Sequence, residues 1–376
     1  MHESLPKISD CTDLRGKRVL VVGGIDVPLQ DNEIIETFRL ERIRPTIDFL
    51  QKSGAKIILV GHIGHDVPES TEPIARYFGM EYVDSLDAKI IREKISTCTG
   101  PGIVLRNVRA DAREEKNDES FARELASCAD IFVNEDFPTS HRNYASIVGF
   151  PRFLPSYAGV EFAQEVAALS SALNPDHPSL VILGGAKADT KIPLVYQFAD
   201  KTDQLFVGGS LANTLFKAKG CETGISLVDG DLEAAKKILE YHTIALPIDV
   251  MACAENICLT KSPEHLEENE NMLDIGLDTI QELGKEIAKA KFVLWNGPMG
   301  VYEKGYREGT ESLAKILAES KATTIVGGGD TITAIKKLGL LEKFTFVSIG
   351  GGAMIEFLSK GTLPAIEALM KSQRKV

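Results

Sequence analysis

Short apolar runs bounded by glycine or charge recur along the chain. Arg18-Val19-Leu20-Val21-Val22 and Lys56-Ile57-Ile58-Leu59-Val60 are the first two, and between them Phe38 to Leu50 carries apolar residues at helical spacing and ends in Ser53-Gly54. That pattern predicts a βαβ unit, and Gly102-Ile103-Val104-Leu105 and Asp130-Ile131-Phe132-Val133 continue the alternation, so the first half reads as a parallel-sheet domain. One long amphipathic helix is predicted over 159–173, followed by the breaker Asn174-Pro175-Asp176-His177-Pro178. After it the strand, glycine turn and helix pattern restarts. Leu180-Val181-Ile182, Phe206-Val207, Thr324-Ile325-Val326 and Phe344-Thr345-Phe346-Val347 each run into glycines.

The predicted fold class is α/β: two parallel-sheet, three-layer (αβα), Rossmann-like domains joined by a hinge helix, with a cleft between them. The expected partition is an N-terminal domain over 1–158, a hinge helix over 159–174 and a C-terminal domain over 175–363, with the tail from about 364 to 376 packing back onto the first domain. No internal repeat and no low-complexity linker is evident, and the charged segment from Pro263 to Glu270 reads as a solvated loop.

The glycine turns carry the chemistry. Gly327-Gly328-Gly329-Asp330-Thr331 leads from a strand into a helix whose first free N–H groups face whatever sits above the turn, the arrangement of a phosphate site. Asp330 would repel a bare phosphate, so its sharper reading is as a holder of Mg²⁺ carried in with phosphates. One such turn serves equally as a capped βα connection. Gly184-Gly185-Ala186-Lys187, Gly208-Gly209 and Gly350-Gly351-Gly352-Ala353 repeat it in the same half, which would line one crevice at the carboxyl ends of parallel strands.

Composition narrows the partners. With 376 residues, 44% of them hydrophobic, the chain has enough apolar material for two cores, and its formal charge of -12 argues against a general nucleic-acid or anionic-membrane surface. Any polyanion must then be held by a few placed cations. Met1-His2-Glu3-Ser4-Leu5 has no signal-peptide character and no apolar run approaches about 18 residues, so a cytoplasmic protein is expected. The scattered cysteines predict neither a disulfide framework nor a zinc site, and no metal site is read at His62 and His65. Arg39, His62, Arg109 and Arg142 recur at strand ends and helix starts of the first half, which suggests one pocket for a small polyanion. Lys187 and Lys191, four apart beside a glycine turn, are expected on one helix face.

Taken in order, Gly184-Gly185-Ala186-Lys187 with Lys191, Val293-Leu294-Trp295-Asn296-Gly297-Pro298-Met299-Gly300-Val301, Gly327 to Thr331 and Gly350 to Ala353 make the chain resemble the phosphoglycerate kinases from about Lys17 onward. Glu115-Lys116-Asn117-Asp118 and Phe137, Thr139, His141 and Arg142 support this from the first half. The resemblance implies a two-domain kinase that moves a phosphoryl group directly between ATP and the carboxylate of 3-phosphoglycerate as its domains close. It implies Gly184, Gly185, Gly208 and Gly209 near adenine and Glu303 at the ribose. Lys187, Asn296, Gly327, Gly328, Gly329, Asp330 and Thr331 fall around phosphates and Mg²⁺. Lys191, Arg39, Gly328 and Gly351 are implied at the transferring group, with Arg39, His62, Arg109, Arg142 and Asp26 in the acceptor patch. A monomer that binds no nucleic acid or membrane is expected.

The departures fall on the acceptor side. Where the family reads Arg-Val-Asp-Phe-Asn-Val-Pro, this chain has Val22-Gly23-Gly24-Ile25-Asp26-Val27-Pro28, and a phosphate-gripping arginine is replaced by His65. Glu-Asn-Val-Arg becomes Arg106-Asn107-Val108-Arg109, and Asp-Ala-Phe-Gly-Thr becomes Glu135-Asp136-Phe137-Pro138-Thr139. Arg42, Arg44 and Arg106 are the cations read as replacements for what is lost, and Ile349 stands where the family usually has Thr. Three functions follow: a phosphoglycerate kinase with a remodelled acceptor pocket, a related kinase acting on a different carboxylate, or a nucleotide-binding homologue without turnover.

Overall fold

The computed structural model describes residues 5–64, 69–255 and 257–372. The chain forms two compact units that divide between Ala167 and Ala168, and from Thr362 it returns to the first.

In the first unit β1 (Arg18–Gly23), β2 (Lys56–Val60), β3 (Glu81–Val83), β4 (Gly102–Leu105), β5 (Ile131–Glu135) and β6 (Ser156–Ala158) form one sheet in the order β3-β4-β2-β1-β5-β6, with every pairing parallel. A parallel strand covered on both faces has no polar side, which is why Val19, Leu20 and Val21 in β1 and Ile57, Ile58 and Leu59 in β2 are all buried. Helix α1 (Phe38–Lys52) places Leu40, Ile43, Ile47 and Leu50 on one stripe, and these pack with Val19, Val21, Ile57 and Leu59. Helix α2 (Val160–Ala172) contains the division between the units.

The second unit contains β7 (Ser179–Leu183), β8 (Gln204–Val207), β9 (Ile244–Ala245), β10 (Val250–Ala254), β11 (Ile257–Lys261), β12 (Asn271–Ile275), β13 (Phe292–Asn296), β14 (Thr323–Gly327) and β15 (Phe346–Ser348). Its main sheet is parallel in the order β9-β8-β7-β13-β14-β15, so the winding direction reverses between β7 and β13. In such a sheet ligands bind outside the carboxyl ends of the strands at that reversal. Helices α3 (Ala188–Phe198), α4 (Gly209–Ala218), α5 (Gly329–Lys337) and α6 (Gly352–Lys360) follow β7, β8, β14 and β15. Helix α7 (Pro364–Ser372) lies in the first unit, where the Ala365 N–H donates to the Ser140 carbonyl at 3.2 Å.

The α/β class with two parallel sheets is as expected. The antiparallel sheet β11-β10-β12 was not anticipated. Within it Cys253 and Cys258 face each other across the β10–β11 register and are joined in a disulfide, with Cα atoms 4.1 Å apart, which corrects the expectation of no disulfide. The segment from Pro263 to Glu270 is also more than a solvated loop. Pro263 and Glu270 are buried, and Lys261 Nζ donates to Glu270 Oε1 at 2.7 Å. Among the described residues no helix is long and apolar enough to cross a membrane.

Candidate functional site

At the carboxyl edge of the second unit's sheet the glycine turns interlock. A Cβ on Gly209 would sit 2.3 Å from the Gly185 carbonyl oxygen, and one on Gly297 would sit 2.2 Å from that of Gly184. These glycines are therefore fixed by backbone packing on backbone. Gly329 and Gly351 differ, because a Cβ at either meets nothing within 4 Å. Neither α5 nor α6 has a side-chain cap at its start, so the positive dipole ends at those two turns are not met by a capping side chain. Helix α3 is different again: Asp229 accepts from the Lys187 and Ala188 amides at 3.0 and 3.3 Å.

Beside these turns lies a cavity of about 410 Å³. Gly185, Gly209, Glu303 and Asp330 line it, as do Phe216, Leu227 and Met272, which sequence reasoning had not singled out. An apolar wall opposite backbone edges suits a flat heteroaromatic ring. No spacing rule flags that wall, because Met272 comes from the unanticipated antiparallel sheet.

Lys191 lies inside α3, only 6% exposed, and its ammonium donates to Asn296 Oδ1 at the end of β13. Burial pushes its pKa down to about 8. Lys187 does not share its helix face. With φ +64 it is the left-handed residue before α3, and its side chain is exposed where Lys191 is buried, so the expected pair of stacked lysines is corrected. Asp330 is exposed in the first turn of α5, and beside it Thr331 Oγ1 is buried with no hydrogen-bond partner. Among the described residues no group of three or more His, Cys, Asp or Glu is placed to hold a metal. A single carboxylate and an orphaned hydroxyl fit Mg²⁺ held chiefly by phosphates.

In the first unit the turns after β1, β2, β4 and β5 gather a charged cluster at the same edge of the sheet. Arg39, from the first turn of α1, donates to the Asp26 carbonyl at 3.0 Å and approaches Asp26 Oδ2 at 3.5 Å. His62 Nε2 lies 3.9 Å from that same oxygen, and Asp26 Oδ1 accepts from the Gly64 amide at 3.0 Å. Arg109 donates to the Gly64 carbonyl at 3.2 Å. The structure thus brings Asp26, Arg39, His62 and Arg109 together, and the charge of Asp26, expected to repel an anion, is opposed by Arg39. Arg142 is exposed on the turn after β5 and shares no hydrogen bond or ion pair with them among the described residues. His65 lies outside the described residues.

The expected replacement cations are committed elsewhere. Arg42 Nη2 pairs with the buried Glu161 at 2.5 Å, Arg44 stacks over Tyr77 at 4.7 Å, and Arg106 faces Asp84 at 3.7 Å. Instead the site gains a carboxylate. Asp136, at the end of β5, is 2% exposed; burial pushes it up to about 6, against the opposing charges of Arg39 and Arg109. Its neighbour Glu135 accepts from Thr46 Oγ1 and from the Glu161 and Phe162 amides, at 2.6, 2.9 and 3.0 Å, and so caps the start of α2.

A doubly wound parallel unit with glycine turns, open helix starts and an apolar slot at its carboxyl edge defines a nucleotide-binding α/β protein. Within that class the chain belongs to the phosphoglycerate kinase family, which it matches over residues 8–361. It is 39% identical to the phosphoglycerate kinase of Thermosipho africanus, over 96% of this chain and 97% of that one. Among solved structures it resembles phosphoglycerate kinase from Coxiella burnetii (34% identity, TM-score 0.87, 98% of this chain and 99% of that one). It also resembles the enzyme from Pyrococcus horikoshii (29% identity, TM-score 0.89, 99% and 100%).

Proposed function

We propose that this chain is a phosphoglycerate kinase, transferring the γ-phosphoryl group of ATP reversibly to the carboxylate of 3-phosphoglycerate to give 1,3-bisphosphoglycerate and ADP. The observation that carries the reading is similarity to phosphoglycerate kinases over nearly the whole chain, which favours this acceptor over a different carboxylate and catalysis over binding alone. The first unit is the acceptor domain and the second the nucleotide domain. Gly184, Gly185, Gly208 and Gly209 with the apolar wall hold adenine, and Glu303 reaches the ribose. The backbone at Gly327, Gly328, Gly329 and Gly351, with Lys187, Asn296 and Thr331, receives phosphates. Lys191 neutralises the transferring phosphoryl and Arg39 orients the attacking carboxylate, while His62, Arg109 and Arg142 bind the acceptor phosphate. Asp330 holds Mg²⁺, which adds charge neutralisation when bound. This chemistry needs positioning and charge rather than a covalent nucleophile. The reading includes a monomer acting in the cytoplasm. A coupled assay of ATP consumption with 3-phosphoglycerate and a panel of other carboxylic acids tests it: turnover with 3-phosphoglycerate far above the rest is expected, and preference for another acid overturns it.

A further inference from the structure

The acceptor cluster holds two carboxylates, and they are not equivalent. Asp26 has one oxygen on the Gly64 amide and the other facing Arg39 and His62, so both its oxygens are engaged within the cluster. Asp136 has a hydrogen bond from the Thr139 amide to Oδ1 at 3.3 Å, and it lies within the fields of Arg39 and Arg109 without an ion pair among the described residues. Directly across from it is Gly24. The Gly24 amide donates to the Glu135 carbonyl at 3.1 Å, locking the ends of β1 and β5 together, and a Cβ on Gly24 would come within 3.5 Å of Asp136 Oδ1. That is ordinary contact distance, so a Cβ alone would fit, and a longer side chain at position 24 would face the same space as the carboxylate of Asp136. In this chain the space is left open from β1 and filled from β5.

A buried carboxylate among cations that grip an anion has a narrow range of uses. It repels the phosphate and carboxylate of the acceptor and attracts only a hydrogen-bond donor. At neutral pH 3-phosphoglycerate carries one good donor, its C2 hydroxyl. Resting on the function proposed above, we infer that Asp136 accepts the hydrogen bond of the acceptor's C2 hydroxyl and is the residue by which this chain selects a 2-hydroxy acid. Gly24 is the complementary half of the device, since a side chain extending past Cβ there would crowd the Asp136 carboxylate.

The test compares 3-phosphoglycerate with its 2-deoxy analogue, 3-phosphonooxypropanoate, in the full chain and its Asp136→Ala, Asp136→Asn and Gly24→Asp/Asp136→Ala variants. A hydrogen bond to a charged group that binds a substrate hydroxyl is worth about 10- to 100-fold. The native chain is expected to prefer the hydroxy acid by at least that factor in kcat/KM. Asp136→Ala should lose it on 3-phosphoglycerate and far less on the deoxy acid, with KM for ATP little changed. The double variant, which moves the carboxylate back to β1, should recover most of the preference. Asp136→Asn keeps an oxygen for the Thr139 amide, so if the alanine variant fails to fold the asparagine variant decides, with discrimination reduced about tenfold or more as the expected result. Native turnover with unchanged discrimination in the folded variants overturns the inference alone. A native chain that turns over neither acid overturns the proposed function and this inference with it.

Discussion

Lys191 shows how burial sets the charge of a single group. Desolvation penalises the ammonium and lowers its pKa to about 8, so the residue is charged below that pH and neutral above it. If the charge serves the phosphates, kcat/KM for the nucleotide, which reports ionisations of the free enzyme, falls about tenfold per pH unit above 8. A profile flat into the ordinary lysine range contradicts this. Lys191→Met should lower kcat by about 100-fold or more while changing Tm little, because relief of a desolvated cation offsets the lost hydrogen bond to the buried Asn296. The motif around Lys191 was legible in the sequence and its partner was not. Nothing in Lys187-Ala188-Asp189-Thr190-Lys191 signals that Lys187 takes a left-handed backbone and leaves the helix face. Arg42 was misread for a related reason: one turn beyond Arg39 it appears available, but Glu161, far along the chain, lies close enough to pair with it.

Among the elements, α2 depends on a carboxylate from another strand. Glu135 supplies the cap that the sequence around Val160 lacks, and burial pushes it up to about 8 despite its three donors. A raised folded-state pKa means that the folded chain holds a proton the unfolded chain releases near 4.5. Its contribution to stability is therefore fully present below about 4.5 and is lost as pH rises through about 8. Glu135→Gln should flatten the decline of Tm across that window, and an unchanged slope contradicts the assignment. The β10–β11 hairpin makes a second element-scale prediction. Its disulfide spans a separation of only 5 residues, so loop-closure entropy predicts a loss of about 2 kcal/mol for Cys253→Ser/Cys258→Ser. Alkylation of the unfolded chain without reductant, followed by mass spectrometry, should modify Cys11, Cys98, Cys128 and Cys221 and leave Cys253 and Cys258 protected; six modified cysteines contradict the pairing. The parallel strands were legible because burial on both faces leaves uninterrupted apolar runs. The antiparallel sheet escaped because β11 exposes Ile257 and Leu259, so no polar face marks it as half buried.

At the scale of the whole molecule, the proposed function divides donor and acceptor chemistry between two units, each built on a six-stranded parallel sheet. The glycine turns were legible at the carboxyl edge of the second unit's sheet because each is local in sequence. The charged cluster of the first unit was only partly legible, since it is assembled from turns after β1, β2, β4 and β5, and the proximity of Gly24 to Asp136 becomes visible only when β1 lies beside β5. Asp330→Ala should cut turnover far more than it lowers Tm, as expected of a carboxylate acting on a metal from an exposed turn; equal losses would indicate a structural cap. Acyl-phosphate formation is tested by incubating the chain with Mg-ATP and 3-phosphoglycerate in hydroxylamine, which traps the acyl phosphate as a hydroxamate. A phosphoglycerate kinase gives ADP and hydroxamate in equal amounts at roughly 1 to 100 turnovers per second, dependent on both substrates. ADP formed with free phosphate and no hydroxamate, or no ADP at all, would contradict the proposed function.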